Sequence, residues 1–356
     1  MKIVQVIPFF GFGGAETMCE NLTYELINFG HDVIVVSMYD YHSAITERME
    51  ASGVDVRYLN KKSGLDFSLF RKLIRILKDE KADVIHTHLY TTKYAIPAAI
   101  LAGVSRRVHT IHTVADKEYS YFQRRFNEIF FKCFEVVPVA LSEMVKKSIM
   151  EEYRLNQNKV PVVVNGINLS KCIKKEGYEF KRTFKIVHIG SFQKVKNHEG
   201  LIDAFRIFHE KYSNTELNLI GYGELQKNVE NYVKEQGLSE SVKFWGKQSS
   251  VCTFLNESDV FCLPSFYEGI PMSIIEAMGT GLPIVATAVG GVPDMLDENS
   301  ALLVEVDSAK IAEAFEKYYS DVELREKHGK AALQRANIFS SKKMAMEYLK
   351  IYNRHI

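Results

Sequence analysis

Twice along this chain a short strand-like run breaks into a glycine-bearing loop and then into a helix-spaced stretch. The first is Ile3–Ile7 followed by Gly11-Phe12-Gly13-Gly14; the second is Lys185–Ile189 followed by a loop over Gly190–Asn197. Strand, helix, strand in succession requires a crossover, and crossovers make neighbouring strands parallel. Ala15–Phe29 sets Met18, Leu22, Leu26 and Phe29 on one helical face, and Val33–Ser37, Val84–Thr87, Val108–His112 and Val136–Ser142 supply further strands. After the second glycine loop come a helix over Glu199–Tyr212 and strands at Leu217–Ile220, Val260–Leu263 and Ile284–Ala286. The 356 residues exceed one ordinary core. The fold class read from this is α/β: two doubly wound, parallel-sheet, Rossmann-like domains facing a central cleft. The divisions expected are a first domain over 1–167, a polar aperiodic linker over 168–183, a second domain over 184–338 and a terminal helix within 339–356. In that last piece Met344, Met346, Leu349, Ile351 and Tyr352 form the expected core-facing stripe of Ser341–Arg354.

Composition excludes several classes. Lys plus Arg number 45 and Asp plus Glu 44, a balance that asks for no nucleic acid. The five cysteines include no CxxC pair and read as reduced thiols of a cytoplasmic protein. No stretch reaches the roughly 18 apolar residues of a membrane span. Met1–Ile7 has one Lys, an interrupting Gln and no small-residue cleavage site, so it reads as a first buried strand and not as a signal peptide.

The chemistry concentrates at Pro264-Ser265-Phe266-Tyr267-Glu268-Gly269-Ile270-Pro271-Met272, continuing to Glu276-Ala277-Met278-Gly279. Two carboxylates stand eight positions apart with Gly and Pro between them. Proline is tolerated in a helix's first turn, so Glu268 is expected on a loop and Glu276 on the helix that follows. Amides around Gly269, Ile270 and Pro271 would then approach the positive end of that helix and cradle a phosphate. Glu276 would accept from ribose hydroxyls and Glu268 from a sugar. Together these groups point to a nucleotide-sugar. Alone, each has a plainer reading: the carboxylates as solvated groups, the Gly13-Gly14 loop as a ligand-free turn, Lys196 as one lysine of a charged surface loop. His86 and His88 are expected on opposite sides of their strand, one of them structural, whereas His112 is expected at a strand end facing the cleft.

These residues, taken in order, resemble retaining glycosyltransferases of the glycosyltransferase 4 group, which have the two-Rossmann-domain architecture called GT-B. The resemblance rests on Gly13-Gly14-Ala15-Glu16, His86-Thr87-His88, Thr110-Ile111-His112, Gly190 to Lys196-Asn197, Gly221-Tyr222-Gly223, the Glu268 to Gly279 stretch and Gly290-Gly291-Val292-Pro293. It implies a donor site built from Gly13, Gly14, Gly190, Ser191, Lys196, Gly221, Glu268, Gly269, Ile270, Pro271 and Glu276. By the same resemblance His112, Lys196 and Glu268 take part in catalysis: Lys196 on the diphosphate, Glu268 on the sugar hydroxyls, His112 near the reacting carbon. The terminal helix is implied to return to the first domain. Ser191 departs from the family, which carries Arg there. The implied reaction moves a sugar from a nucleotide-sugar, UDP-linked by preference, to a glycan or lipid-linked acceptor in surface polysaccharide synthesis. It is expected to need no metal and no cofactor, since no acidic cluster of the DxD type is placed to hold one.

Two other readings stand beside it: a non-catalytic sugar-nucleotide-binding partner subunit of the same fold, and a nicotinamide-dependent oxidoreductase. The latter lacks the third glycine of the dinucleotide fingerprint, since position 16 is Glu. Tyr119–Phe134 is rich in aromatic and basic residues. A core-packed helix is the expectation there, and the sharper alternative is a monotopic contact at the inner face of a membrane.

Overall fold

A computed structural model describes residues 1–11, 13–115, 120–248 and 250–353. The chain divides into two compact units, Met1–Gly166 with Ser341–Ile356, and Ile167–Ser340. The first unit holds a six-stranded sheet of β1 (Lys2–Ile7), β2 (Asp32–Ser37), β3 (Asp55–Tyr58), β4 (Val84–His88), β5 (Arg106–Ile111) and β6 (Val136–Ala140), in the order β3-β2-β1-β4-β5-β6. The second holds β7 (Phe184–Ile189), β8 (Thr215–Ile220), β9 (Val242–Phe244), β10 (Val260–Leu263), β11 (Ile284–Thr287) and β12 (Leu302–Val304), in the order β12-β11-β10-β7-β8-β9. Every pairing between these strands is parallel. Each sheet therefore has one place where the direction of winding reverses, at β1/β4 and at β7/β10. Loops leaving the carboxyl ends of such a pair diverge and open a crevice, the usual place for a ligand in an open α/β sheet.

In the first unit the helix Gly14–Asn28 buries Met18, Leu22 and Leu26 against β1 and β2. The helix Ser341–Asn353 joins the same core through Met344, Ala345, Tyr348, Ile351 and Tyr352. Arg354, expected in this helix, lies outside the described residues. The stripe differs from expectation at one place: Met346 is 42% exposed, and Tyr348 takes the inward position. The spacing 341, 344, 345, 348, 352 keeps to one helical face, which 346 leaves. The two tyrosines also carry polar tips into the core. Tyr348 Oη lies 2.7 Å from Thr110 Oγ1, and Tyr352 Oη lies 2.7 Å from His86 Nδ1. His86 and His88 do not face opposite sides of β4: their ring centroids are 4.2 Å apart. Residues two apart on a strand share a face, so the sequence expectation was wrong on this point.

The second unit packs Phe184, Phe205, Phe208, Phe315 and Tyr318 between its sheet and the helices His198–Lys211 and Ser308–Ser320. Residues 168–183 run along this unit. Lys175 donates its backbone N–H to Thr280 O at 2.9 Å and its Nζ to Ser258 O at 2.6 Å, and Tyr178 Oη donates to Gly281 O at 3.0 Å.

Candidate functional site

The two loops at the β7/β10 reversal are tied to each other. After β7 the chain passes Gly190 and Ser191, makes a single tight turn over Lys194–Lys196 and enters the helix His198–Lys211 through Asn197. Asn197 sits in the left-handed region at φ 52°, which Asn tolerates better than most residues. Its Oδ1 accepts from Gly200 N at 3.3 Å, capping the helix, while its Nδ2 donates to Pro264 O at 3.1 Å on the loop after β10. Phe266 N donates to Val195 O at 2.8 Å, a second tie. Between these ties Lys196 Nζ donates to Glu268 Oε1 at 2.6 Å, and Ser265 Oγ donates to the same oxygen at 2.6 Å. Glu268 is 8% exposed. Among the described residues no hydrogen bond reaches its other oxygen, Oε2.

Two glycines bring backbone into contact with these loops. Gly221, after β8, has φ +144°, and a Cβ there would lie 1.9 Å from Gly190 O. Gly290, at φ +54°, would place a Cβ 1.9 Å from Glu268 O. Beside it, Gly291 N donates to Glu268 O at 3.1 Å. The Gly290-Gly291 turn thus supports the Glu268 backbone from below, with no room for a side chain.

The helix after Glu268 runs over Met272–Thr280. Pro271 was expected in its first turn; it stands one place earlier, as the N-cap, with φ −69° and ψ 119°. Proline also has no N–H, so Pro271 contributes no donor to a phosphate. The amides that remain at this end are those of Gly269, Ile270, Met272 and Ser273; none of them has an acceptor among the described residues, and that of Ile274 turns back to Pro271 O at 3.1 Å. Glu276 lies one turn in. It is partly buried, no hydrogen bond or ion pair reaches its carboxylate among the described residues, and desolvation pushes its pKa up to about 7.

In the first unit Gly13 is the N-cap of the helix that Gly14 opens, with φ −132° and ψ 170°; Phe12 lies outside the described residues. A Cβ on Gly13 would lie 2.5 Å from Glu16 Oε2. Burial raises the Glu16 carboxyl above its usual value, partly offset by backbone hydrogen bonds at Glu16 and Gly11. His112 follows β5, with Nε2 3.3 Å from His88 Nδ1, and burial lowers its pKa to about 3, so the imidazole is neutral at ordinary pH.

The structure therefore gathers Gly190, Ser191, Lys196, Gly221, Glu268 and Gly269 around one pair of loops, with Ile270, Pro271 and Glu276 on the helix entry beside them. Gly13, Gly14 and His112 belong to the other unit. Three residues were not singled out from sequence: Ser265 on the Glu268 carboxylate, Asn197 as the tie between loops, and His188. His188 Nδ1 lies 2.9 Å from Cys262 O, while its buried Nε2 has no hydrogen-bond partner among the described residues and would lie 2.8 Å from a Cβ on Gly190. Ser265 and Asn197 stand inside quoted motifs, three positions before Glu268 and directly after Lys196, whereas His188 lies in an apolar strand run that gave no signal.

Residues 12–171 match the family described as Glycosyltransferase Family 4, and residues 171–335 match Glycosyl transferases group 1. The chain belongs to the glycosyltransferase 4 group. Among its curated relatives is the UDP-Gal:alpha-D-GlcNAc-diphosphoundecaprenol alpha-1,3-galactosyltransferase of Escherichia coli, 29% identical over 248 residues. That match covers 64% of this chain and 63% of the relative, just under two thirds of its length. The capsular polysaccharide biosynthesis glycosyltransferase CapH of Staphylococcus aureus is 25% identical over 290 residues, 78% of each chain. The solved structure of Anabaena Alr3699/HepE in complex with UDP and glucose superimposes with a TM-score of 0.82 over 98% of both chains, at 17% identity, which establishes a common fold. The oxidoreductase reading is not favoured by these matches.

Proposed function

We propose that this family 4 glycosyltransferase moves a sugar from a UDP-sugar to a glycan or lipid-linked acceptor in surface polysaccharide synthesis, with retention at the anomeric carbon. The observation that carries the proposal is the Lys196–Glu268–Ser265 cluster at the β7/β10 reversal, set beside a helix entry with open amides. In this reading Glu268 Oε2 accepts from donor-sugar hydroxyls, and Ser265 with Lys196 fixes the carboxylate's orientation. When the anomeric C–O bond breaks, its electron pair goes to the diphosphate. Lys196 and the amides of Gly269, Ile270, Met272 and Ser273 neutralise that growing charge. The acceptor's proton passes to the departing phosphate oxygen, and the new C–O bond forms on the same face of the sugar. No protein nucleophile, resident metal or cofactor enters this scheme. Glu276, as a carboxylate, accepts from ribose hydroxyls. The roles of His112 beside the sugar and of the Gly13-Gly14 backbone near the phosphates and the acceptor rest on the family resemblance.

The UDP preference and the lipid-linked acceptor are supported by what the Escherichia coli relative is said to use. A thermal-shift panel of UDP-, GDP-, ADP- and CMP-sugars tests the donor: a UDP-sugar alone should raise the melting temperature, since a ligand of the folded state stabilises it. Transfer by the purified chain, followed by NMR of the new linkage, tests the chemistry. Donor binding without hydrolysis or transfer would move the protein to the partner-subunit reading.

A further inference from the structure

An open apolar groove of about 590 Å³ lies on the first unit, between the segment 65–70 and the helix Tyr121–Cys133. Tyr94 and Phe130 lie buried at its floor. Its rim is unusual for a soluble surface: Leu65 is 74% exposed, Phe67 75% and Phe122 77%, with Phe126 and Ile129 also exposed on the same helix. Phe122, Phe126 and Ile129 follow one another at helical spacing, so one face of that helix is turned outward, uncovered by any of the described residues. Single exposed apolar residues are ordinary, but a contiguous patch from two elements marks an interaction surface. The helix packs on the core, as expected, through Asn127, Phe130 and Phe131, while Phe122, Phe126 and Ile129 stay exposed. Tyr119, the expected start of the segment, lies outside the described residues.

The charges around the groove select its occupant. Phe67 caps the helix Ser68–Asp79, and Arg71 and Arg75 follow it at four-residue spacing on the same face, both exposed. Lys93 lines the groove, 5.3 Å from the Tyr94 ring, and Lys61 stands 5.9 Å from that same ring. No carboxylate pairs with Arg71, Arg75, Lys61 or Lys93 among the described residues. Asp66 shares the groove, but its oxygens are taken by Lys62 N, Ser68 N and Ser68 Oγ. Arg125 and Lys132, on the aromatic helix, both pair with the single carboxylate of Glu128, so that triad keeps one net positive charge. Lys61 Nζ is held by Lys62 O and Gly64 O at 2.8 and 2.7 Å but keeps its charge. What remains is exposed aromatic and aliphatic rim next to cations that no carboxylate offsets among the described residues, the combination that favours an apolar layer under an anionic surface.

We propose that this face of the first unit docks on a bilayer containing anionic lipid, with Leu65, Phe67, Phe122 and Phe126 entering the interfacial layer and Arg71, Arg75, Lys61 and Lys93 meeting the headgroups. The inference rests on the patch alone and not on the donor reading. It is tested by floating the full chain with vesicles of phosphatidylcholine, and of phosphatidylcholine mixed with phosphatidylglycerol. The chain should float with the mixed vesicles, only weakly with the neutral ones, and less as salt is raised. Phe122→Ser with Phe126→Ser, and separately Arg71→Glu with Arg75→Glu, should each lower the bound fraction at least about tenfold. The circular dichroism spectrum and melting temperature of each variant, unchanged from wild type without any ligand, show that the first unit still folds and keep this test apart from the donor test. No flotation with the mixed vesicles, flotation that both double variants leave intact, or a dimer in sedimentation that the Phe122 and Phe126 changes dissolve would each overturn the proposal.

Discussion

Lys196 Nζ and Glu268 Oε1 lie 2.6 Å apart although 72 residues separate them, because each sits on the loop after one of the two strands that flank the reversal in the second sheet. The pair is largely withdrawn from solvent, with side-chain exposures of 18% and 9%. Truncating either partner therefore does two things: it removes a group that the proposed mechanism assigns to the donor, and it strands the opposite charge.

Lys196→Ala should reduce kcat by about 3 kcal/mol in barrier height, the size of a lost oxyanion donor, while Glu268→Gln should weaken donor binding in addition to turnover. Steady-state kinetics with saturating acceptor separate the two. Unchanged turnover in Lys196→Ala would mean that the departing phosphate is met elsewhere.

Gly290→Ala should unsettle the loop that carries Glu268. The residue combines φ +54° with a Cβ position 1.9 Å from Glu268 O, so the substitution meets both backbone strain and a clash with a main-chain atom that has no rotamer to escape into. A destabilisation of about 1–3 kcal/mol in urea unfolding is expected, with a parallel loss of donor affinity. Gly64→Ala, also at positive φ but with open space around its Cβ position, is the control that carries the backbone strain without the clash.

Glu276 makes a pH prediction. Its carboxyl is pushed up to about 7 from 4.5 by desolvation, so the folded protein holds that proton more tightly than the unfolded chain does. Stability from this group is thus greatest below pH 4.5 and declines as the pH rises toward 7. Donor affinity should run the other way, improving as the carboxylate forms and can accept two ribose hydroxyls. Calorimetric titration of donor between pH 6 and 8 should show this rise in wild type and a flat profile in Glu276→Gln.

The buried imidazoles of the first unit predict acid lability. Burial holds His86, His88 and His109 below their usual value of 6.5. As pH falls below 6.5 the unfolded chain takes up protons that the folded one refuses, so stability declines with acidification. Tyr352→Phe, which leaves His86 Nδ1 buried without its partner at 2.7 Å, should cost about 1–3 kcal/mol at neutral pH by thermal or urea unfolding.

The strands that sequence reading found and those it missed differ in a physical way. β1, β2, β4, β7 and β10 are covered on both faces and read as compact apolar runs. The three it left out are β3, β9 and β12, all edge strands, with half-exposed residues and no continuous apolar signal. An edge strand is chosen by its neighbour's open hydrogen-bonding groups more than by its own composition. The site divides in the same fashion. Glu268, Glu276 and the glycines stand within short motifs whose spacing carries their meaning. That Ser265 orients Glu268, that Pro271 stands outside the helix, and that Tyr348 and not Met346 faces inward depended on exact local geometry.

What the sequence determined by itself is the alternation of elements: apolar runs, glycine turns and helical stripes are local, and together they commit the chain to two parallel sheets wound in both directions. Only the tertiary structure decided which side chains share a proton or a charge. Lys196 meets Glu268, and Tyr352 meets His86, across 72 and 266 residues because sheet order sets them side by side. Burial, and with it the proton affinity of Glu276 and the histidines, follows from that assembly, since a side chain's solvent is removed by residues remote in the chain.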